Sequence, residues 1–345
     1  MNSTNTAILL INLGTPDGCD ISSVRRYLAE FLMDKHVIDV PYLLRWIIVW
    51  LFILPFRPKR SANAYQRIWT EQGSPLMIIS QEVQNQLATK TSEPVYLAMR
   101  YGRPSIRSIL SQIHKQHPSL ECIKVLPLYP HYALASTQSV IEKTKKEAQT
   151  LSISTPIKFR SSFYNDPLYI KALSLSIKRA LKPGVDYLLF SYHGIPIRHL
   201  GKVDPTSRHC GTKECCERAS IAHATCYKHQ VKVTTQLVIE QLGLSANQYG
   251  ISFQSRLGKD PWIPPFTDEL IPQLAKKGVR HLAVVCPAFV SDCLETIEEI
   301  GMEARDLFLE NGGTEFSLID CLNSDSDWID ALQSMCEDDQ TFQPL

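Results

Sequence analysis

The sequence predicts an α/β protein of two parallel sheets, each flanked by helices, and three observations carry that prediction. Short apolar runs alternate with helical periods along most of the chain. Strands separated by helices of about ten or more residues build βαβ units, whose parallel sheets are buried on both faces. The length of 345 residues, at roughly 150 per domain, allows two such units with a core each.

Taken in order, residues 7–13 (AILLINL) form an apolar run stopped by Gly14-Thr-Pro16, the pattern of a buried strand. Further strands are expected at 94–99, 122–126, 157–161, 187–191, 250–254, 282–286 and 316–319. Helical periods fall at 21–32, 105–117, 136–147, 168–181, 231–242, 268–277 and 292–308. The join is expected near 150–156, giving a first domain over 1–150 and a second over 151–310. Residues 311–345 then form a strand and helix that pack back on the first. One stretch breaks the rhythm: 201–230 separates a strand from its helix with weak periodicity and holds four of the ten cysteines. Loops of that length inside an α/β domain are uncommon and usually functional.

Composition narrows the class. A hydrophobic share of 44% with 21% charged residues excludes disordered and fibrous proteins. With 36 basic and 35 acidic side chains the net charge is +1, which gives no footprint for nucleic acid. The start, Met1-Asn-Ser-Thr-Asn-Thr6, has no basic n-region before an apolar stretch, so a reducing, cytoplasmic setting is the expectation. There, clustered cysteines more often bind metal or do redox work than form disulfides. The strongest apolar run, Trp46 to Leu54, is too short for a span of about 20 residues. With Arg57-Pro-Lys-Arg60 beside it, the run fits a buried helix, a helix lying on a bilayer surface, or a cover over an apolar ligand.

Two constellations stand where open α/β sheets bind ligands, beyond the carboxyl ends of strands. In Ser191-Tyr-His-Gly-Ile-Pro196, His193 leaves a strand end and Gly194 and Pro196 turn the chain away. In Cys286–Glu299 a strand gives way to a helix on which Asp292, Glu295 and Glu299 fall at i, i+3 and i+7, on one face, with Glu303 extending the row. Asp292 and Glu295 also fit a capping box with a solvated face behind it. The other reading is a carboxylate row that conducts a hard divalent cation and accepts protons. An imidazole facing carboxylates suits the loading of a divalent metal into a ligand that must lose protons to take it. Tyr129-Pro-His-Tyr132, Phe253, Trp262 and Phe266 stand at other strand ends and can wall a flat apolar ligand.

These segments resemble the ferrochelatases. Ala7–Asp17, Arg67-Ile-Trp with Gly73-Ser-Pro-Leu76, Met99-Arg-Tyr-Gly102, Leu126–Tyr132, Ser191–Pro196, Phe253-Gln-Ser-Arg256 with Pro261-Trp262, and Phe289–Glu299 occur in that family's order over almost the whole chain. The resemblance implies two Rossmann-like, chelatase-like domains. It also implies insertion of Fe(2+) into protoporphyrin IX with release of two protons, the terminal step of haem biosynthesis. His193 and Glu295 match the residues on opposite faces of the macrocycle that bind iron or accept pyrrole protons. Asp292 and Glu299 match the acidic line proposed to deliver metal or remove protons. Leu13, Arg67, Arg100, Tyr129, Tyr192, Gln254, Ser255 and Trp262 match positions lining the porphyrin cleft. Residues 34–58 match the family's apolar lip, with peripheral membrane contact through 43–56 on the inner face of the cytoplasmic membrane; a homodimer is compatible with the family. Members that use coproporphyrin III typically carry tyrosine before the Gly-Thr-Pro turn, where this chain has Leu13. That favours protoporphyrin IX over coproporphyrin III. A non-catalytic tetrapyrrole or iron carrier is the rival class, and it has no need of bases on both faces. Chelatases for cobalt or nickel lack the Ser-Tyr-His and Phe-Gln-Ser segments.

Cys210, Cys215, Cys216 and Cys226 form C-x4-CC-x9-C, enough thiolates for tetrahedral zinc or a four-cysteine cluster. A subset of bacterial ferrochelatases looks similar here and holds a [2Fe–2S] cluster; zinc and unligated thiols are the alternatives. His209, His223 or His229 can replace one ligand, because adjacent cysteines are awkward for a regular CxxC loop. The other six cysteines read as small buried hydrophobes, except Cys293, which lies between Asp292 and Glu295.

Overall fold

The computed structural model describes residues 6–344 except 257 and 259. The chain divides into two compact units. The first holds the chain through Tyr129, Leu134–Ser161 and the chain from Ile329 on; the second holds Pro130–Ala133 and Ser162–Trp328.

In the first unit the apolar run becomes β1 (Thr6–Asn12), flanked in parallel by β2 (Val95–Met99) and β3 (Cys122–Pro127). Leu10 faces Leu97 on one side and Leu126 on the other, so a central strand with no polar face is the stable choice. β4 (Ile157–Arg160) adds to β3 in parallel, and β9 (Phe342–Pro344) closes that edge antiparallel, giving the order β2-β1-β3-β4-β9. Leu9, Ile11, Ala98, Val125 and Phe159 pack there with Leu110 of α5 (Ile106–Gln116) and Val140 of α6 (Ser139–Thr150). The helix α1 (Ile21–Leu32) starts at Asp20, whose carboxylate accepts from the amides of Ser22 and Ser23 at 2.9 and 3.0 Å.

The second unit is a four-stranded, all-parallel sheet in the order β6-β5-β7-β8. Its strands are β5 (Tyr187–His193), β6 (Tyr249–Gln254), β7 (His281–Val285) and β8 (Glu315–Ile319). Register pairs His193 with Gln254 at one sheet edge. Leu189, Val284, Ile271, Ile300 and Phe308 form the core beneath. The helices α7 (Pro167–Ala180) and α9 (Tyr227–Leu242) pack together, and α9 stops at Gly243, whose φ of +67° is a left-handed C-cap. Trp328, fully buried, packs on Phe163 and Tyr169.

The expected strands are all present, with β9 in addition. Helices α3 (Arg57–Ile68) and α4 (Pro75–Lys90) were not expected, while α12 (Ser326–Glu337) falls within the stretch expected to form a strand and helix. In α3 and α4 a proline stands in the first turn, which suits a helix start. Residues 292–308 are not one α-helix: a π-helix runs Glu295–Ala304 and α11 follows over Arg305–Glu310. The weakly periodic insert is α8 (Ile197–Lys202), a run of turns and a 3-10 turn at Ile221–Ala224. The 42–53 segment is helical, α2 (Tyr42–Ile47) with a π-turn Ile48–Ile53, yet within its unit it is not a buried helix. Tyr42, Leu43, Phe52 and Phe56 are 67–75% exposed. Among the described residues no helix is long and apolar enough to cross a membrane.

Candidate active site

His193 ends β5 at the carboxyl edge of the second unit's sheet. Its Nδ1 lies 2.6 Å from the Gly194 carbonyl, which can only accept, so Nδ1 carries a proton and Nε2 is the nitrogen left for other chemistry. The Tyr227 hydroxyl donates to the His193 carbonyl at 2.8 Å, and Phe289 meets the imidazole edge-on at 6.2 Å. Gly194 fits tightly at the turn. A Cβ there would lie 3.0 Å from the Gln254 carbonyl and 3.1 Å from the Trp262 ring. Trp262 is held against this loop by a bridge to Pro196 and by the Ile263 amide donating to Ile195.

The neighbouring strand end grips the acidic helix. Gln254 is buried; its Nε2 donates to the Glu295 carbonyl at 2.9 Å and its Oε1 accepts from Ser191 at 2.8 Å. Ser255 follows with φ +62°, a left-handed backbone uncommon outside glycine. That turn aims both its donors at one side chain. The Ser255 amide reaches Glu299 Oε1 at 2.9 Å and its hydroxyl donates to Oε2. Burial lifts the Glu299 carboxyl to about 7, the charges of Glu295 and Glu303 push the same way, and Ser255 resists. The i→i+5 winding of a π-helix stacks residues four apart nearly above one another, so Glu295 and Glu299 form the row. Glu298, which the sequence did not single out, is buried on the inner side of the same helix.

Asp292 does not belong to that row. It precedes the helix, is buried, and its oxygens accept from Thr296 (2.8 Å), Asn323 (2.7 Å) and the Cys321 amide (3.2 Å). Asn323 also accepts from the Asp292 amide at 2.9 Å. The shared face expected from α-helical spacing is replaced by a clamp tying the helix start to the chain after β8. Nothing near Asp292 in sequence announces Asn323.

The expected cleft residues divide. Gln254, Ser255 and Trp262 stand with His193. Tyr192 points the other way, as the neighbour in a strand must: it is fully buried and its hydroxyl pairs with Thr235 at 2.8 Å. In the first unit, Leu13 is half-buried at the end of β1, Arg67 is exposed in the last turn of α3, and Tyr129 is packed against the sheet core. Arg100 is committed within its own unit. Its guanidinium donates to Asp34 and to Ser139 (2.7 Å) and lies 4.3 Å over the Tyr101 ring. Asp34, at the base of the exposed 42–56 segment, also accepts from the Tyr101 hydroxyl at 2.9 Å and from Ser139 at 2.5 Å. Sequence reasoning passed over Asp34 because its partners lie on β2's loop and at the start of α6.

A sequence model of the ferrochelatase family matches residues 5–340. The chain belongs to the ferrochelatase family. It is 44% identical to a ferrochelatase of Pseudomonas fluorescens over 97% of this chain and 98% of that protein. It is 45% identical to a ferrochelatase of Opitutus terrae over 95% and 96%. Among solved structures, SirB from Bacillus subtilis with Fe3+ has TM-score 0.53 at 14% identity, covering 96% of this chain and 94% of that one. The sirohydrochlorin chelatase SirB from Bacillus subtilis subspecies spizizenii in complex with cobalt has TM-score 0.54 at 13% identity, covering 97% of each. These two share the fold. Membership makes the chain an enzyme, a metal chelatase of haem biosynthesis that takes a porphyrin and Fe(2+) as substrates.

In this ferrochelatase the cysteine insert is tied down at both ends. The buried Asp204 carboxylate accepts from the amides of Thr206, His209 and Cys210, each at 2.8 Å, and Thr225 donates to the Val203 carbonyl at 2.7 Å. All ten cysteines are free. The thiols of the insert touch in a chain: Cys226 meets Cys216 and Cys210, and Cys216 meets Cys215. Sharing a proton with Cys216 holds the Cys226 thiol below its ordinary range and Cys216 above its own. Four free, contacting thiols are a donor set that fits zinc or an iron–sulfur cluster. Among the described residues, however, no group of three or more His, Cys, Asp or Glu side chains stands in a metal-holding arrangement. Of the cysteines expected to be buried, Cys122, Cys286, Cys321 and Cys336 are buried and Cys19 is half-buried; Cys293, set apart from them, is buried as well.

Proposed function

We propose that this enzyme inserts Fe(2+) into protoporphyrin IX, giving protohaem and two protons. The observation that carries the reading is the placing, at one sheet edge, of an imidazole bonded through Nδ1 and a carboxyl pushed up to about 7. Metallation replaces two pyrrole N–H bonds with bonds to iron, so two protons need acceptors. His193 Nε2 can bind the entering iron or take one proton. Glu299, near 7, accepts a proton as carboxylate and can hand it on to water, while Glu295 stands about one turn before it on the helix. Asp292 holds the start of the helix in place and acts through it. Leu13, in place of the tyrosine of coproporphyrin-using members, and the exposed apolar lip over 42–56 support protoporphyrin as the substrate. The same lip, with Arg57, Lys59 and Arg60 after it, supports peripheral contact with a bilayer. The thiols of Cys210, Cys215, Cys216 and Cys226 would hold a [2Fe–2S] cluster, with zinc as the alternative.

The test is the fluorescence of protoporphyrin IX incubated with anaerobic Fe(II) and enzyme, run beside coproporphyrin III. Quenching of protoporphyrin emission, lost in His193→Ala and Glu295→Ala, is expected. Persistent protoporphyrin emission with coproporphyrin consumed would reassign the substrate.

A further inference from the structure

The insert carries three histidines that the catalytic reading does not use, and they converge on two peptide carbonyls. His209 Nε2 lies 2.6 Å and His223 Nε2 3.0 Å from the carbonyl of Cys215, and His229 Nδ1 lies 2.8 Å from the carbonyl of Cys216. A carbonyl only accepts, so each of these ring nitrogens carries a proton. The tautomers are thereby set: Nε2–H on His209 and His223, Nδ1–H on His229. The rings brace one another as well. His223 and His229 stack at 3.5 Å with planes 11° apart, and His209 meets His223 edge-on at 5.4 Å. Gln230, fully buried, donates to the carbonyls of His223 and Ala224 and so fixes the chain that carries the stack.

Adjacent cysteines present a geometric problem that this arrangement answers. Side chains of consecutive residues diverge, so Cys215 and Cys216 can serve one centre only if the peptide joining them is held in a single orientation. The insert between Val203 and Ser220 has no helix or strand to do that, and its carbonyls need donors from elsewhere. The geometry points to His209, His223 and His229 as positioning residues for the thiol set, donating to the Cys215 and Cys216 carbonyls so that both sulfurs face the same centre. They orient the ligands without being ligands. The inference rests on the insert holding a metal centre through its four cysteines.

Full-length protein reconstituted anaerobically with ferrous iron and sulfide is the material, and the readouts are iron and acid-labile sulfide per chain, the visible spectrum, and the rate at which a chelator strips the iron. Loss of an outer partner typically costs 10–100-fold in metal affinity, so His223→Ala and His229→Ala should lose iron about 10–100-fold faster than wild type. Gln places an amide N–H where Nε2–H stood and Asn where Nδ1–H stood, so His223→Gln and His229→Asn should retain the cluster at close to the wild-type rate with an unchanged spectrum. If the amide variants lose iron as fast as the alanine variants, or shift the spectrum as a replaced ligand does, the positioning role is overturned. If wild type holds its cluster and the alanine variants hold it equally long, the role is also overturned, with the metal reading left standing. A wild-type chain that retains neither iron with sulfide nor zinc removes the metal reading itself, and this inference falls with it.

Discussion

At the scale of single residues, burial raises the hold of Glu299 on its proton and the Ser255 contact opposes it. A carboxyl that titrates near 7 in the folded protein and near 4.5 unfolded binds its proton more tightly when folded. Its contribution to stability is therefore full below about 4.5 and is lost as pH rises to about 7, by at most on the order of 3 kcal/mol. Glu299→Gln should flatten stability against pH across that window, as followed by urea denaturation at several pH values. Ser255→Ala removes a donor to the carboxylate, so the acid limb of the activity profile should move to higher pH while kcat at alkaline pH changes little. An unmoved limb would take Glu299 out of the rate-limiting proton transfer. The place of His193 was legible because motif and strand end coincide. Asp292 was misplaced because its partner Asn323 lies beyond β8, a contact no local pattern encodes.

At the scale of elements, the π-helix and the lip show where periodicity stops informing. Over ten residues, apolar spacing does not separate i→i+4 from i→i+5 winding, yet the choice decides which carboxylates share a face. The lip has the opposite ambiguity. An apolar run with a helical period says that a helix forms, not which surroundings its apolar face meets, and within this unit Tyr42, Leu43, Phe52 and Phe56 remain exposed. Burying such side chains in an acyl boundary is worth about 1.5–3 kcal/mol each. Leu43→Ser with Phe52→Ser should weaken cosedimentation with anionic lipid vesicles by at least tenfold and leave the melting temperature within a few degrees of wild type. Unchanged cosedimentation would remove the bilayer from the reading of the lip.

At the scale of the whole molecule, the βαβ rhythm made both sheets legible, and the return of the closing segment to the first unit runs through β9, a strand of three residues ending in proline that no periodicity marks. What secures that return is a buried amine. Lys124 on β3 donates to the Cys336 carbonyl at 2.8 Å and lies 3.6 Å from the buried Glu93 and 2.9 Å from Asp339. Lys124→Met leaves the Glu93 carboxylate buried without its cation, a loss on the order of 3 kcal/mol in urea denaturation. Adding Glu93→Gln should recover part of it, because the stranded charge is gone; no recovery would mean that the carbonyl contact carries the effect.

The antiparallel strand β9 also fixes a timetable. Until Phe342–Pro344 emerge, Arg160 and its neighbours on β4 stand as an open edge, and at 5–20 residues per second synthesis of the intervening chain takes on the order of ten to forty seconds. The sheet that begins first on the ribosome is thus finished last, and β4 is the place where a nascent chain offers unpaired backbone to a wrong partner.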